Sequence, residues 1–206
     1  MKKLLSTLLV AVALLAGSHR ASAQFRYGPT LGVDLTTLHF NQSLFDVDQS
    51  VGYQGGIMGE LMFQGIGFGI DFGLQYTQRG ATLDLGSRPV WAAEGYGRER
   101  VYLHYTDIPI DLRFKWTRMN GLEDYIAPYV FGGPVISMLV AHNKVDAMEY
   151  PFGYLGLQTG VGFELWHNWQ IQGSYTWGMT YAGRTRLLDD FSARSNTWSV
   201  RVNYLF

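Results

Sequence analysis

Apolar and polar residues alternate strictly over residues 66–77: Ile66, Phe68, Ile70, Phe72, Leu74 and Tyr76 on one side, Gly67, Gly69, Asp71, Gly73, Gln75 and Thr77 on the other. A period of two is that of a β-strand, whose successive side chains point to opposite faces. One face is therefore wholly apolar and the other polar or bare. At about 3.3 Å per residue the stretch extends roughly 36–40 Å, and tilted by about 45° it crosses an apolar band roughly 25 Å tall. The pattern predicts one stave of a membrane barrel, with lipid outside and a polar, partly glycine-lined interior.

The alternation recurs along the chain. Over 25–36, Phe25, Tyr27, Leu31, Val33 and Leu35 face out against Arg26, Gly28, Thr30, Gly32, Asp34 and Thr36; Pro29 lacks a ladder donor and predicts a bulge or a local break in pairing. Over 51–63, Tyr53, Ile57, Leu61 and Phe63 oppose Gln54, Met58, Glu60 and Met62, and Gln64-Gly65 reads as a tight turn into the 66–77 strand. Residues 101–116 place Ile108, Ile110, Leu112, Phe114 and Trp116 outward and Asp107, Asp111, Arg113 and Lys115 inward. Residues 126–141 are apolar on both faces, which leaves their facing open.

Three further strands complete the set. Leu155, Leu157, Val161, Phe163 and Leu165 oppose Gln158, Gly160, Gly162 and Glu164; Trp169, Ile171, Tyr175, Trp177, Met179 and Tyr181 oppose Gln170, Gln172, Ser174 and Thr176. Finally, over 195–206, Trp198, Val200, Val202, Tyr204 and Phe206 oppose Ser199, Arg201 and Asn203. Long polar connections (38–50, 79–100 with room for its own short hairpin, 142–153 and 182–194) alternate with short turns. Backbone polar groups in lipid have no water to bond, so the first and last strands must pair. The predicted fold is all-β, an eight-stranded antiparallel up-and-down transmembrane β-barrel with about 11 residues per strand and both termini in the periplasm. Aromatics gather where the interfaces fall: Phe63, Trp116, Trp166, Trp169 and Phe206 near the short turns, Tyr53, Tyr76 and Tyr181 nearer the long loops.

The first 23 residues stand apart. Lys2 and Lys3 precede an apolar run, and Ala21-Ser22-Ala23 fits a small-residue cleavage site before Gln24, so residues 1–23 read as a signal peptide and 24–206 as one barrel domain. No later stretch offers the ~20 predominantly apolar residues of a spanning helix. Losing Lys2, Lys3 and Arg20 takes the formal charge from −1 to about −4, and no basic patch points to nucleic acid. The chain has no cysteine, which excludes a lipid-modified N-terminal cysteine and a disulfide framework.

Eight strands enclose a space that side chains can fill. The inward positions carry Asp34, Glu60, Asp71, Asp107, Asp111 and Glu164 against Arg26, Arg79, Arg113, Lys115 and Arg201. Mixed signs there predict an internal network of ion pairs, with the strand-three glycines leaving room for the arginines, rather than a wide pore. For enzyme chemistry, His39, Ser43 and Asp46 supply acyl-transfer residue types within one polar loop, and His104 and His142 lie near the outer ends of neighbouring strands. Two histidines lack the three or four ligands of a usual zinc site, and His167 between two tryptophans suits the membrane interface. No catalytic residue, metal or cofactor is assigned.

Tyr105-Thr106-Asp107-Ile108-Pro109-Ile110-Asp111-Leu112, Ala127-Pro128-Tyr129-Val130-Phe131-Gly132-Gly133-Pro134 and Gly160-Val161-Gly162-Phe163-Glu164-Leu165, with Gln75-Tyr76-Thr77-Gln78-Arg79-Gly80 and the terminal Tyr204-Leu205-Phe206, resemble the PorT-like outer-membrane β-barrel family of Bacteroidota. The likeness spans essentially the whole mature chain. It implies outer-membrane residence and, through the founding member, a role as accessory subunit in type IX protein secretion. Trp198, Val200, Val202, Tyr204 and Phe206 resemble the assembly signal read by the barrel-insertion machinery. The expected partners are outer-membrane lipid, that machinery during assembly, and a protein of a secretion or envelope machine. The leading expectation for function is a non-enzymatic barrel whose long loops contact a partner or shield the cell; a lipid-modifying enzyme and a narrow porin are the further alternatives.

Overall fold

The computed structural model describes residues 24–40, 47–63, 65, 67–84, 93, 97–143, 148–185 and 192–206. The described residues form ten strands: β1 (Gln24–Phe40), β2 (Val47–Met62), β3 (Phe68–Asp84), β4 (Arg98–Lys115), β5 (Ile126–His142), β6 (Met148–Glu149), β7 (Gly153–Leu165), β8 (Trp169–Gly178), β9 (Gly183–Thr185) and β10 (Ser192–Tyr204). Eight of them pair antiparallel in the order β1-β2-β3-β4-β5-β7-β8-β10, and β10 pairs back onto β1, from Thr30↔Asn203 to Phe40↔Ala193. The barrel is closed. The short strands β6 and β9 pair with each other and attach to β10 at the long-loop end. The predicted signal segment 1–23 and its cleavage residues Ala21 and Ala23 lie outside the described residues, as do Ser43 and Asp46; Gln24 opens β1 opposite Met62.

Period-two alternation makes both faces at once. Leu31, Ile57, Leu112 and Trp198 are each more than 60% exposed on the outer wall, whereas Thr30, Glu60, Arg113 and Asn203 are buried. A large apolar surface of this kind is stable only against hydrocarbon, the reverse of a soluble sheet.

Several expectations need correction. The strand read as 66–77 begins at Phe68; Gly67 has φ 72°, so it belongs to the turn, with Gly65 at φ 88° and Phe63 N donating to Phe68 O at 2.8 Å. Most staves exceed 11 residues: β1 to β5 have 16–18 each, because the hairpins keep pairing past the apolar band, as in Asp84↔Arg98. Much of the presumed 79–100 loop is therefore strand, and Arg79 lies within it. Pro29 makes no bulge against β2, where Pro29↔Ile57 keeps register; the break falls on the closing seam, whose pairing starts one residue later at Thr30. The seventh stave is also shorter than read: β8 ends at Gly178, although Met179 and Tyr181 remain exposed.

The open facing of β5 is resolved by burial. Ala127, Tyr129, Phe131, Val135 and Ser137 turn inward, and Val130, Ile136 and Val140 outward. The rings fit because their neighbours on β7 are bare: Tyr129 pairs with Gly162 and Phe131 with Gly160, and a Cβ on either glycine would sit 2.5 Å from the ring.

Candidate functional site

The interior is filled in layers. At the short-turn end, the Glu60 carboxylate of β2 receives Arg26 Nη2 at 2.5 Å, Arg113 Nη1, Gln170 Nε2 at 2.7 Å and, more distantly, Lys115 Nζ at 3.6 Å. Glu164 of β7 completes the cluster, with Arg26 at 2.5 Å, Lys115 at 3.1 Å and Gln170 at 2.9 Å. Two carboxylates thus share three cations. Sharing suits a site shielded from water, where a lone charge would be prohibitive.

One layer up, Arg113 also holds Asp71 through Nε at 2.7 Å and lies 3.9 Å over the Tyr129 ring. The Gln172 amide in turn donates to Tyr129 OH at 2.9 Å and accepts from Arg201 Nε at 3.0 Å. Above it, Arg201 reaches Ser174 at 3.3 Å and Gln75 and Gln158 at 3.4 Å, with Phe131 beneath its guanidinium at 5.8 Å. Gln158 donates to Asp111 at 2.5 Å, and Gln54 donates to Asp34 at 2.7 Å. The uppermost charged layer pairs Arg79 with Asp107 at 2.7 Å, with Ser137 at 3.3 Å and Tyr154 OH as further acceptors and the Tyr105 ring alongside. Beyond it Ala81, Val101 and Leu103 make an apolar layer.

The nine inward residues assigned from sequence (Asp34, Glu60, Asp71, Arg79, Asp111, Arg113, Lys115, Glu164, Arg201) are all buried. Glu60, Asp71, Arg113, Lys115 and Glu164 are brought into one connected set with Arg26, while Arg79 pairs apart from them with Asp107. Asp34, Asp111 and Arg201 meet amide or hydroxyl partners instead. Room for Arg201 comes from Gly32 of β1, not from the strand-three glycines: a Cβ on Gly32 would lie 2.8 Å from Arg201 Cγ, whereas that on Gly69 would meet Met62. The aromatic supports Tyr105, Tyr129, Phe131 and Tyr154 were not singled out in the sequence. For Tyr105 and Tyr154 the signal was present, since they share parity with the inward Asp107 and Gln158.

Little free space remains among these layers. The void touching Met58, Asp71, Gln75, Asp111 and Arg201 measures about 10 Å³, whereas one water molecule needs about 10–15 Å³ of such space. A larger hollow of about 280 Å³ opens at the short-turn end beside Lys115, Glu164 and His167. There the Glu123 carboxylate is held below its usual range by its own backbone N–H and by those of Met119 and Gly121. His104 and His142 do not converge: His104 Nδ1 faces Tyr76 OH at 2.6 Å on the outer wall, while the His142 ring packs on Tyr150. His167 lies in the β7–β8 turn with φ 65°, its carbonyl accepting from Arg26 and its Nε2 3.6 Å from Asp124.

The outward row of β10 is continuous with the wall. Trp198, Val200, Val202 and Phe206 are exposed, Tyr204 meets Trp169 and Phe206 edge to face, and Phe206 N donates to Tyr27 O at 2.9 Å across the seam. Asn168 clamps Leu205 from both sides, donating to its carbonyl at 2.7 Å and accepting from its N–H at 2.8 Å.

A known protein shares this architecture. OprG, an outer membrane protein from Pseudomonas aeruginosa, is similar over 90% of this chain and 97% of its own, at 10% identity and a TM-score of 0.57, a likeness of fold. Ail of Yersinia pestis, solved with the heparin analogue sucrose octasulfate, overlaps 89% of this chain and 99% of its own at 17% identity and a TM-score of 0.48. Neisserial surface protein A overlaps 88% and 99% at 14% identity and a TM-score of 0.44. No curated protein matches the chain. Residues 16–182 match the family described as outer membrane protein beta-barrel domain. A closed eight-stranded wall, apolar outside and charged within, agrees with that match: the chain belongs to the outer membrane protein beta-barrel domain family.

Proposed function

We propose that this outer-membrane barrel is non-enzymatic and closed to solutes, with its long connections outside the cell and both termini in the periplasm. The observation that carries this reading is the filled interior, whose carboxylates are mostly engaged by arginines, lysine and amides. Groups held in that way support the wall and are poor candidates for proton transfer or nucleophilic attack. The outward row ending at Phe206 then serves as the assembly signal for the insertion machinery, and the long loops meet a partner or shield the cell.

Orientation and chemistry are tested separately. The chain has no native cysteine, so Ala93→Cys in a long connection and Asp124→Cys in a short turn report sidedness. A membrane-impermeant maleimide on intact cells is expected to label the first and spare the second; the opposite pattern overturns the orientation. Deleting the gene is expected to leave the acyl and phosphate pattern of lipid A unchanged, and a change restored by the wild-type gene overturns the non-enzymatic reading.

A second reading, an accessory subunit of a secretion machine of the PorT-like type, is favoured by one feature of the outer wall. Gly173 faces outward between Val161 and Val200, and a Cβ there would meet nothing within 4 Å. The recess, walled by Tyr175, Trp177 and Trp198, is about 540 Å³. Recovery of secretion-machine subunits with the barrel from native membranes, lost on Gly173→Trp, supports that reading; recovery of the barrel alone counts against it.

A further inference from the structure

The long-loop half of the β3–β4 hairpin differs from the rest of the outer wall. Elsewhere the outward rows are mainly aliphatic and aromatic, but here the register sets Tyr76 beside Thr106, Gln78 beside His104 and Thr82 beside Arg100. Hydrogen-bond donors replace hydrocarbon on a surface that still points away from the barrel. Two irregularities border the patch at one level: β2 gains a residue against β3 between Gln49 and Gln54, and β5 gains one against β4 beside His104. Bulges re-aim strands and gather at barrel rims and functional sites.

Its side chains contact one another. His104 Nδ1 meets Tyr76 OH at 2.6 Å with the rings stacked 5.8 Å apart, and Tyr53 continues the aromatic surface at 6.3 Å from Tyr76. The Tyr76 hydroxyl occupies Nδ1 and leaves Nε2 of the imidazole for a partner outside the barrel. Arg100 is exposed and lies 5.2 Å over the Tyr102 ring. Asn143 fixes this stretch of β4, accepting from Tyr102 N at 2.8 Å and donating to Arg100 O at 2.6 Å. The carboxylate of Asp48, across Thr82 from Arg100, marks the outer limit of the patch.

We propose that Arg100, His104, Gln78 and Tyr76 form a binding surface for the phosphorylated headgroup of an outer-leaflet glycolipid. A planar guanidinium held on an aromatic face is suited to phosphate oxygens. Arg100 and His104 are four residues apart on one face, about 13 Å along the strand, a span for a sugar-phosphate headgroup rather than a small anion. The same face descends from Tyr76 through Leu74 to Phe72, all exposed, where the acyl chains of such a lipid lie. Placing the patch in the outer leaflet rests on the orientation proposed above, which the cysteine labelling tests on its own.

The full barrel in mild detergent is titrated with bisphosphorylated lipid A, with its dephosphorylated form and with inorganic phosphate, bound species being counted by native mass spectrometry. Wild type is expected to bind the bisphosphorylated lipid, and Arg100→Gln with His104→Gln to weaken it about tenfold or more, since each lost charge-assisted contact is worth about that factor. Tyr76→Phe, which removes the hydroxyl at Nδ1, is expected to weaken it less. The exposed Arg194, 5.8 Å over Tyr181 on another part of the rim, serves as control: Arg194→Gln leaves the affinity unchanged. Equal binding by the Arg100/His104 variant, equal binding of dephosphorylated lipid, an equal loss with Arg194→Gln, or saturation by inorganic phosphate alone each overturns the proposal. Heat-modifiable migration of every variant confirms that a folded barrel was measured.

Discussion

Arg113 illustrates how much rests on single residues. Its guanidinium is buried, lies on Tyr129 and bonds both Glu60 and Asp71. Glu60 keeps Arg26 and Gln170 if Arg113 is removed, but Asp71 loses its hydrogen-bonding partner. Arg113→Ala is therefore expected to destabilise the barrel by about 3–5 kcal/mol, the usual cost of stranding a buried charge. The urea midpoint of the barrel in lipid vesicles measures it, and an unchanged midpoint means that Asp71 is solvated. Adding Asp71→Asn to that variant should restore part of the loss, because the stranded group then carries no charge. The inward parity of Arg113 was legible from alternation alone. Its partners were not, because period two assigns a face and says nothing about which strand lies across the lumen.

Among the elements, the closing seam and the short turns make the sharpest claims. A Cβ on Gly28 would fall 1.7 Å from Tyr204 O, whereas one on Gly173 would meet nothing within 4 Å. Gly28→Ala should thus reduce the yield of heat-modifiable barrel, while Gly173→Ala, on the open wall, should match wild type; equal behaviour of the two means that the seam is looser than described. The β4–β5 turn, with Asn120 and Gly121 at positive φ and a 3₁₀ segment over Leu122–Asp124, is tied by Glu123 accepting from Met119 N at 3.0 Å and Gly121 N at 2.9 Å. Because this carboxylate titrates below its usual range in the folded turn, the tie is complete above the ordinary glutamate pKa and is lost as pH falls through the depressed one. Amide shifts of Met119 and Gly121 are expected to move together in that acidic window, and Glu123→Gln should abolish the movement. Strand existence and turn positions were readable from polar punctuation. The length of β1 to β5 was not, since pairing above the apolar band needs no apolar alternation to mark it.

At the scale of the molecule, closure and filling are one property. An open edge in hydrocarbon would leave a row of unbonded peptide groups, so β1 and β10 join; eight strands then enclose a lumen that side chains fill. A void of about 10 Å³ between the charged layers admits no hydrated ion. Planar-bilayer recordings of the purified barrel are accordingly expected to show no stable conductance. Steady openings in wild type overturn the filled-interior account, and openings confined to Arg113→Ala place the obstruction at that layer.

Alternation by itself determined the fold class, the faces of seven staves and the charged residues that line the lumen, because a side-chain period of two needs only the chain's own stereochemistry and a difference in polarity between the faces. Tertiary structure decided the rest. The facing of β5 follows from glycines on a neighbouring strand, which make space for Tyr129 and Phe131. The grouping of Glu60, Arg113 and Glu164 follows from three strands brought together only when the sheet curls shut. Trp166 and His167 adopt positive φ in the β7–β8 turn, a conformation uncommon for any residue but glycine and disfavoured above all for bulky Trp166, while Arg26 bonds the His167 carbonyl and Asn168 grips Leu205. Each of these depends on which strands become neighbours or on distances across the lumen and the seam, and both exist only in the assembled barrel.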